Sequence, residues 1–474
     1  MKDMLPDTLI EWSAAGSGKV NTDWASEDKR RFLMIDDADV SAEVLYIGGG
    51  NAFVIYRDES VYNQVSRQFA IKVTEECQGI TVLTTSTEVH LKDFPGDIEC
   101  LNQKMGQLKK KVRRELTVSA YPVIEQDLHD GFPITRRMVQ NGSTADMSEI
   151  RYEKYMANAG KTDGDTQWSY AHEMEELAAE KGVDSYVAVI HIDGNGMGEM
   201  VHSIMKKNQT YEKAIPAMRK FSADIAEKNQ EAQNAMVDIF RMIYDKNSLP
   251  LRPLIMDGDD MTYICCAQAG IASAVFYLRK LMVLSNENLR LSSCAGIAFV
   301  HNHFPFSIAY EIAETCCARA KRCWYEDKNE KNTAGYLDYY VVQDAYVKGM
   351  KEERQKELRV RPYWVSEKND LNKTNSVDGL LATLTQMKGE TGVSEGWPMN
   401  RLHHLYEAYI SGTLETLKQE YASRGYELSK LCGISDHSVC EEEAGIFDAL
   451  EIMDFYRGDV WSKFWDESER GGNQ

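Results

Sequence analysis

The sequence lacks the features of a membrane, secreted or zinc-ribbon protein. No apolar run reaches the roughly 20 residues that a transmembrane helix needs, and the first residues, from Met1 to Asp3, do not begin an apolar signal peptide. The 10 cysteines are scattered singles or adjacent pairs without Cys-x-x-Cys spacing, which excludes a zinc ribbon and gives no disulfide framework. We therefore expect a reduced, cytoplasmic protein with no membrane association.

Basic charge is also scarce, since 54 Lys and Arg stand against 74 Asp and Glu, for a formal net charge of −20. A nucleic-acid backbone is bound by clustered cations and repelled by an acidic field. This balance argues against a broad nucleic-acid-binding surface and leaves only a local groove open. Mg²⁺ and nucleotide–metal complexes are compatible partners. With 474 residues, the chain is long enough for two or three domains.

The first part of the chain predicts a tight hairpin. Residues 44–47 and 52–56 are apolar strands, and the four residues between them, Gly48, Gly49, Gly50 and Asn51, tolerate a positive φ. Helical patterns follow at about 59–76 and 95–116, with a β-rich run from Ile80 to Leu83 between them. The polar stretch 117–180 is typical of a connection to a second domain.

The second part predicts a split βαβ sheet. Its apolar run at 186–192 is typical of a strand covered on both faces. The further elements are a helix at about 211–245, a hairpin at 254–265, a helix at about 269–286, a strand at 293–300, a helix at 305–323 and a strand near 336–342. The order β-α-β-β-α-β describes a ferredoxin-like sheet, the palm of many nucleotide polymerases and cyclases.

These patterns predict an α+β protein with two ferredoxin-like palm domains and a C-terminal α-helical domain. The helical domain rests on the periodicity of residues 374–458. The predicted boundaries are a degenerate first palm at 1–116, a linker at 117–180, a second palm at 181–345 and the helical domain at 346–474.

Three aspartates lie at the predicted strand ends of the second palm. Asp193 follows the first strand, and Asp259 and Asp260 lie at the hairpin turn. The end of the first strand lies beside the central hairpin in such a sheet, so the three side chains are expected to meet. Mg²⁺ prefers carboxylate oxygens, and two divalent ions about 3.5–4 Å apart catalyse phosphoryl transfer. We therefore predict catalytic metal ligands in these aspartates, together with the Ile192 carbonyl.

Neighbouring residues are candidates for binding a nucleotide. Gly194, Asn195 and Gly196 lead into a helix from about residue 197, whose free N–H groups suit a triphosphate. Lys321 and Arg322 are cations suited to phosphate oxygens, although basic residues late in a helix also occur for dipole reasons alone. An Asp-Gly pair by itself indicates only a turn. The two acidic motifs in matching topological positions favour a site.

Residues 186–342 resemble the second palm domain of the large signature subunit of type III CRISPR effector complexes. The matching stretches are Val189 to Gly198, the Asp257-Gly258-Asp259-Asp260 hairpin, and Ala295 to Glu314 through His303-Phe304-Pro305-Phe306. Residues 44–56 resemble the first palm of that subunit, whose hairpin is also Gly-rich and without carboxylates. The C-terminal helices are similar to the segment that follows in stand-alone relatives, so the resemblance covers roughly residues 40–460.

The resemblance implies a nucleotidyltransferase that joins ATP into cyclic oligoadenylate second messengers, with Mg²⁺ or Mn²⁺ at the second palm. It places the activity in prokaryotic antiviral defence, with protein partners of such a system. Asp193, Asp259 and Asp260 would be the metal ligands, and Gly258 would allow close approach of the nucleotide. The hairpin residues Gly48, Gly49, Gly50 and Asn51 would frame a second, non-catalytic nucleotide position.

The chain departs from the family pattern at several points. Asp257 stands where the family hairpin has its first Gly, and little chain precedes residue 44 for the opening strand and helix of a first palm. There is no HD nuclease motif, so DNA cleavage is not implied. There is also no zinc-binding cysteine set between the two predicted palms. Three alternatives stay open: a nucleotide sensor without turnover, a scaffold subunit of an RNA-guided complex, and a diguanylate cyclase, whose hairpin pattern is missing here.

Overall fold

The computed structural model describes most of the chain, in two compact units. The described residues are 4–26, 31–48, 50–77, 80–111, 123–140, 143–159, 168–171, 173–177, 185–244, 248–286, 289–327, 334–342, 360–368, 371, 373, 375–389, 396–431 and 445–470. The first unit comprises Met1–Thr166 and Met197–Asp224, and the second comprises Gln167–Gly196 and Ile225–Gln474. The domain boundaries predicted from the sequence stay predictions.

Both helices and strands contribute to the fold, which confirms the α+β class. The helices are α1 Met4–Trp12, α2 Glu59–Glu76, α3 Phe94–Lys111, α4 Glu149–Ala159, α5 Met197–Lys207, α6 Tyr211–Ile243, α7 Gly270–Val283, α8 Phe306–Glu326, α9 Val377–Lys388, α10 Met399–Ser411, α11 Leu414–Ser423, α12 Ile446–Ile452 and α13 Gly458–Arg470. The strands are β1 Lys19–Asn21, β2 Val40–Gly48, β3 Asn51–Tyr56, β4 Ile134–Gln140, β5 Ser143–Ser148, β6 Ser169–Tyr170, β7 Tyr186–Gly194, β8 Ser248–Leu249, β9 Leu251–Asp257, β10 Asp260–Cys266, β11 Ser293–His301, β12 Ala334–Val341 and β13 Tyr363–Ser366.

The first unit contains a three-stranded sheet in the order β1-β2-β3. Antiparallel pairing of β2 with β3 joins Gly48 to Asn51, which confirms the hairpin at 44–56. One core of this unit packs α1 and α2 against the sheet through residues such as Leu9, Val44 and Phe69. The prediction of a strand at Ile80–Leu83 was wrong, because these residues have no strand pairing in the structure. An apolar run forms a strand only where its backbone pairs with a neighbouring strand, and residues 80–83 have no such partner in the structure.

The stretch predicted as a connection, 117–180, contains structure of its own. Strands β4 and β5 form an antiparallel hairpin, and α4 follows directly from Glu149. Arg136 and Arg137 of β4 form exposed ion pairs with Glu149 and Asp146. Because two consecutive residues of β4 are charged, the hairpin does not show the alternation of apolar and polar residues by which strands are recognised, and the sequence did not predict it.

The second unit is built on a six-stranded sheet in the order β13-β12-β11-β7-β10-β9. Strands β7, β9, β10 and β11 are the first four strands of this sheet in chain order, and their spatial order is that of the predicted split βαβ sheet. The short strand β8 pairs with β6 in a separate sheet. Strand β7 lies in the middle and pairs antiparallel with both β10 and β11. Strands β12 and β13, of which only the first was predicted, extend the sheet beyond β11. The pairing of two palm domains in one chain stays a prediction.

Helices cover both faces of this sheet at very short distance. A Cβ atom on Gly296 of β11 would lie 2.0 Å from the Ala313 carbonyl oxygen and 2.2 Å from the Cys317 nitrogen of α8. On the other face, a Cβ atom on Gly270 of α7 would lie 2.7 Å from the Ala188 Cβ atom of β7. The absence of a side chain at Gly296 therefore sets how closely α8 packs on the sheet.

The predicted C-terminal helices are present as α9 to α13, within the second unit. Arg279 of α7 donates to both carboxylate oxygens of Asp378 in α9, at 2.6 and 2.8 Å, and Trp465 of α13 donates to the same carboxylate at 3.1 Å. Arg279 and Asp378 are buried, so each charge needs its partner. Among the described residues, no helix is both long and apolar enough to cross a membrane.

We expect Gly296→Ala to destabilise the second unit by about 1–3 kcal/mol, because the added methyl group overlaps the backbone of α8. Gly106→Ala, in the middle of α3 where a Cβ atom meets nothing within 4 Å, should be neutral or stabilising by about 0.5–1 kcal/mol. Thermal unfolding of both variants checks this. A Gly296→Ala protein that unfolds at the wild-type temperature would contradict the close packing of α8.

Candidate functional site

Three aspartates converge at one end of the six-stranded sheet. Asp193 is next to last in β7, Asp260 is the first residue of β10, and Asp259 lies in the turn before it. One carboxylate oxygen from each lies within 4.8 Å of the others. The ladder explains this, since Ile192 pairs with Met261 and the next position along both strands brings Asp193 opposite Asp260. Ile192 is fully buried one residue before Asp193, and a metal-ligand role for its carbonyl stays a prediction.

The hairpin between β9 and β10 presents Asp259 on a two-residue loop. Asp257 and Asp260 pair with each other, which leaves Gly258 and Asp259 as the loop. Gly258 has a φ of +65° and a Cβ atom there would meet nothing within 4 Å. Glycine is therefore required for the backbone conformation of the turn and not for space. The close approach of a nucleotide to Gly258 stays a prediction.

The three carboxylates raise one another's cost of ionisation. The pKa of Asp260 is raised to about 7, first by burial and then by the charges of Asp193 and Asp259. Asp260 also shares a hydrogen bond with Asp193, and the charge of Lys321 acts in the opposite direction. A divalent cation relieves such repulsion between carboxylates. The residues present thus fit a hard metal ion both in donor type and in electrostatics.

Lys321 of α8 is bonded directly to this cluster. Its Nζ atom contacts a carboxylate oxygen of Asp193 and donates to the carbonyl oxygen of Gly194 at 2.8 Å. Burial lowers the pKa of Lys321, but the Asp193 carboxylate outweighs it and the net shift is upward. The lysine is therefore held as a cation at the site. Arg322, the other predicted phosphate ligand, is exposed on the next position of the helix.

The residues after Asp193 shape the strand end. Asn195 is buried, with its backbone N–H donating to the Ser292 carbonyl at 2.8 Å and its amide donating to the Ser292 hydroxyl at 3.2 Å. Gly196 has a φ of +67°, and a Cβ atom there would lie 3.4 Å from Trp324. The structure thus ties Asn195 to the segment before β11, and its predicted contact with a nucleotide stays a prediction. Helix α5 begins at Met197, as the sequence indicated.

Sequence reasoning missed a second polar layer, which lies two rungs from the aspartates on the β7–β10 ladder. The Nδ1 atom of His191 lies 3.1 Å from the Thr262 hydroxyl, and its ring contacts the Tyr310 ring edge-on at 5.5 Å. Burial lowers the pKa of His191, which favours a neutral ring. The signal was present, because residues 191 and 193 face the same side of a strand.

The four hairpin residues of the first unit are placed only in part. Gly48 pairs with Asn51, Gly50 has a φ of +69°, and Gly49 lies outside the described residues. Asn51 lines a cavity of about 360 Å³ in that unit. The other lining residues with aromatic or charged side chains are Tyr46, Phe53, Phe94 and Lys109. A nucleotide-binding role for these hairpin residues stays a prediction.

No family model and no curated protein matches the chain, but solved structures do. Csm1 of T. onnurineus is 13% identical with a TM-score of 0.41, covering 87% of this chain and 62% of that one. Csm1–Csm4 cassettes in complex with pppApApA and with AMPPNP are each 12% identical, with TM-scores of 0.47 and 0.44. They cover 96% and 86% of this chain, and 65% and 62% of their own. This chain thus spans less than two thirds of these proteins.

Csm1 is the large subunit of type III CRISPR complexes, and the chain is similar to it over most of its length. Identities of 12–13% leave the site residues to be judged by their own geometry.

We expect the pH dependence of stability to report the carboxylate cluster in metal-free protein. Burial and the neighbouring carboxylates raise the pKa of Asp260 to about 7 in the folded chain, against about 3.9 in the unfolded chain, so the folded chain binds more protons between these pH values. Its contribution to stability is present below about pH 4 and is lost as pH rises to about 7. Asp260→Asn should therefore raise the unfolding temperature relative to wild type more at pH 8 than at pH 5.5, in the presence of a chelator.

Asp466→Asn, at an exposed position of α13, is the control and should show no such difference between the two pH values. Equal shifts for Asp260→Asn at both pH values would contradict a shared, repulsive cluster.

Proposed function

We propose that this protein is a metal-dependent nucleotidyltransferase that joins ATP into a cyclic oligonucleotide second messenger, in antiviral defence. The observation that carries the proposal is the convergence of Asp193, Asp259 and Asp260 within 4.8 Å at the end of a split βαβ sheet. ATP, the cyclic product and the biological setting come from the sequence resemblance. The reaction class comes from the carboxylates and their place in the sheet.

The three aspartates are the residues that would hold Mg²⁺ or Mn²⁺. When bound, such ions activate the attacking hydroxyl and neutralise charge on the leaving oxygen. Asp193 and Asp260 offer oxygens from adjacent strands, so their separation is set by the ladder between β7 and β10. Asp259 adds a third carboxylate from the tip of the hairpin. This division of ligands between strand ends and a tight turn keeps them in place without reorganisation.

Other residues suit the site to a nucleoside triphosphate. Gly258, beside Asp259 at the hairpin tip, has no side chain to obstruct a nucleotide, and Lys321 holds an ammonium group at the edge of the cluster. Asn195 ties the strand end to Ser292 and thereby fixes the carbonyl of Gly194 to which Lys321 donates. Cationic donors near phosphate oxygens stabilise the triphosphate and the charge that develops during transfer.

The proposed reaction is attack of a ribose 3′-hydroxyl on the α-phosphorus of a second ATP. A new O–P bond forms, the bond between the α-phosphorus and its bridging oxygen breaks, and pyrophosphate leaves with the electron pair of that bond. The hydroxyl proton passes to solvent. Repeating this step within one product closes the ring. The nucleotide that supplies the hydroxyl is the one for which the sequence resemblance implies a second position.

A nucleotide-binding protein without turnover, acting as a sensor or a complex subunit, is the second candidate. Asp257 favours it, because this residue stands where the family hairpin has glycine and adds a negative charge near the aspartates in sequence. Tight binding of ATP with no product in the presence of Mn²⁺ would select this candidate.

We expect the paired substitution Asp259→Asn and Asp260→Asn to abolish turnover. Loss of two metal ligands should reduce the rate by more than the roughly 100-fold that loss of an outer-shell partner costs. Purified protein is incubated with each nucleoside triphosphate and Mn²⁺, and the products are identified by mass spectrometry. Asp466→Asn should retain the wild-type rate. Turnover that persists in the doubly substituted protein would show that these aspartates are not the catalytic metal ligands.

A further inference from the structure

Lys321 forms an ion pair with Asp193, one of the three carboxylates that would bind a divalent cation. Its ammonium contacts Asp193 and donates to the Gly194 carbonyl at 2.8 Å. The lysine side chain is 23% exposed and that of Asp193 is 33% exposed, so water screens this pair only in part. Lys321 belongs to α8 and Asp193 to β7, and the pair therefore exists only because the helix packs on the sheet.

The ammonium and a metal ion compete for the same charge. With all three aspartates ionised, Lys321 changes the formal charge of the cluster from −3 to −2. A divalent cation bound to Asp193 would place two positive centres on one carboxylate, and like charges at such a distance repel strongly. The carboxylate thus favours either the lysine or the metal, and binding of one weakens binding of the other.

The helix that carries Lys321 is fixed, but the side chain is not. Gly296 allows the backbone of α8 to contact β11. Arg319, two residues before Lys321, donates to the buried Asp338 of β12 at 2.6 Å. These contacts hold α8 in place, whereas a lysine side chain has four rotatable bonds and redirects its ammonium at little cost. A change of partner is therefore a rotation of the side chain and not a movement of the helix.

We propose that Lys321 is the counter-cation of the metal-free site and exchanges Asp193 for phosphate oxygens when a metal–nucleotide complex binds. The inference rests on the proposed function and describes how Lys321 couples metal binding to nucleotide binding at that site. The triphosphate offers the ammonium another anion, and this frees Asp193 for the metal. Metal and nucleotide therefore bind cooperatively, and the coupling is reciprocal.

This role predicts opposite effects of removing the lysine charge. Without nucleotide, Lys321→Met should bind Mn²⁺ more tightly, on the order of tenfold, because one repulsive unit charge near the metal is gone. With Mn²⁺ at saturation, the same variant should bind AMPPNP more weakly, since the cation that receives the phosphates is missing. A lysine that only supports the structure would give a loss in both measurements.

The experiment is a Mn²⁺ titration of the full chain, in which electron paramagnetic resonance measures the free ion without nucleotide. Lys321→Gln is a second variant, which keeps a donor for the Gly194 carbonyl and should follow Lys321→Met. Lys463→Met is the matched control, because it removes the same charge by the same substitution from an exposed position of α13. The Asp259→Asn and Asp260→Asn double variant identifies binding at the cluster.

Each outcome decides between the two proposals. Tighter Mn²⁺ binding by both Lys321 variants, with Lys463→Met unchanged, supports the exchange. Equal or weaker binding by Lys321→Met and Lys321→Gln overturns it, and if the aspartate variant still loses the ion, the metal site itself stands. Binding that the aspartate variant retains, or no binding by any protein, overturns the proposed function together with this inference.

Discussion

Antiparallel pairing of β7 with β10 is the constraint on which the rest of the site depends. It places Ile192 opposite Met261 and so brings the carboxylates of Asp193 and Asp260 together at the next rung. A shift of the register by one residue would turn one of the two carboxylates to the opposite face. Burial is the largest cause of the raised pKa of Asp260, and this adjacency adds the charge of Asp193 to it. The demand for a cation follows from the same adjacency.

The surrounding structure holds together a group of charges that repel one another. Strand β7 is central in its sheet and its apolar residues from Val187 to Ile190 are buried completely. Close packing of α7 and α8 on the two faces and the buried Arg279–Asp378 pair resist any spreading of the strands. The cost of the carboxylate cluster is thus offset by a core that lies outside it, as is common at functional sites.

The positive charge at this site comes from helix α8, whereas the aspartates lie on β7, on β10 and in the turn before β10. Lys321 reaches Asp193 from α8, while Arg322 beside it is exposed, because neighbouring residues on a helix point about 100° apart. The acids and the lysine are thereby assembled by packing and not by sequence proximity. Such an arrangement allows the cation to leave the carboxylates without disturbing the strands that hold them. The site is rigid in its ligands and adjustable in its counter-ion.

The sequence by itself determined the order β-α-β-β-α-β, the Gly258 turn and the candidacy of three aspartates, because these depend on local periodicity and on backbone conformations that few residues adopt. The tertiary structure alone decided the pairing of Lys321 with Asp193, the burial of Asn195 against Ser292 and the layer formed by His191, Thr262 and Tyr310. It also replaced the predicted strand at Ile80–Leu83 with irregular structure. Each of these depends on which elements come into contact across long separations in the chain, and a local sequence pattern does not specify such contacts.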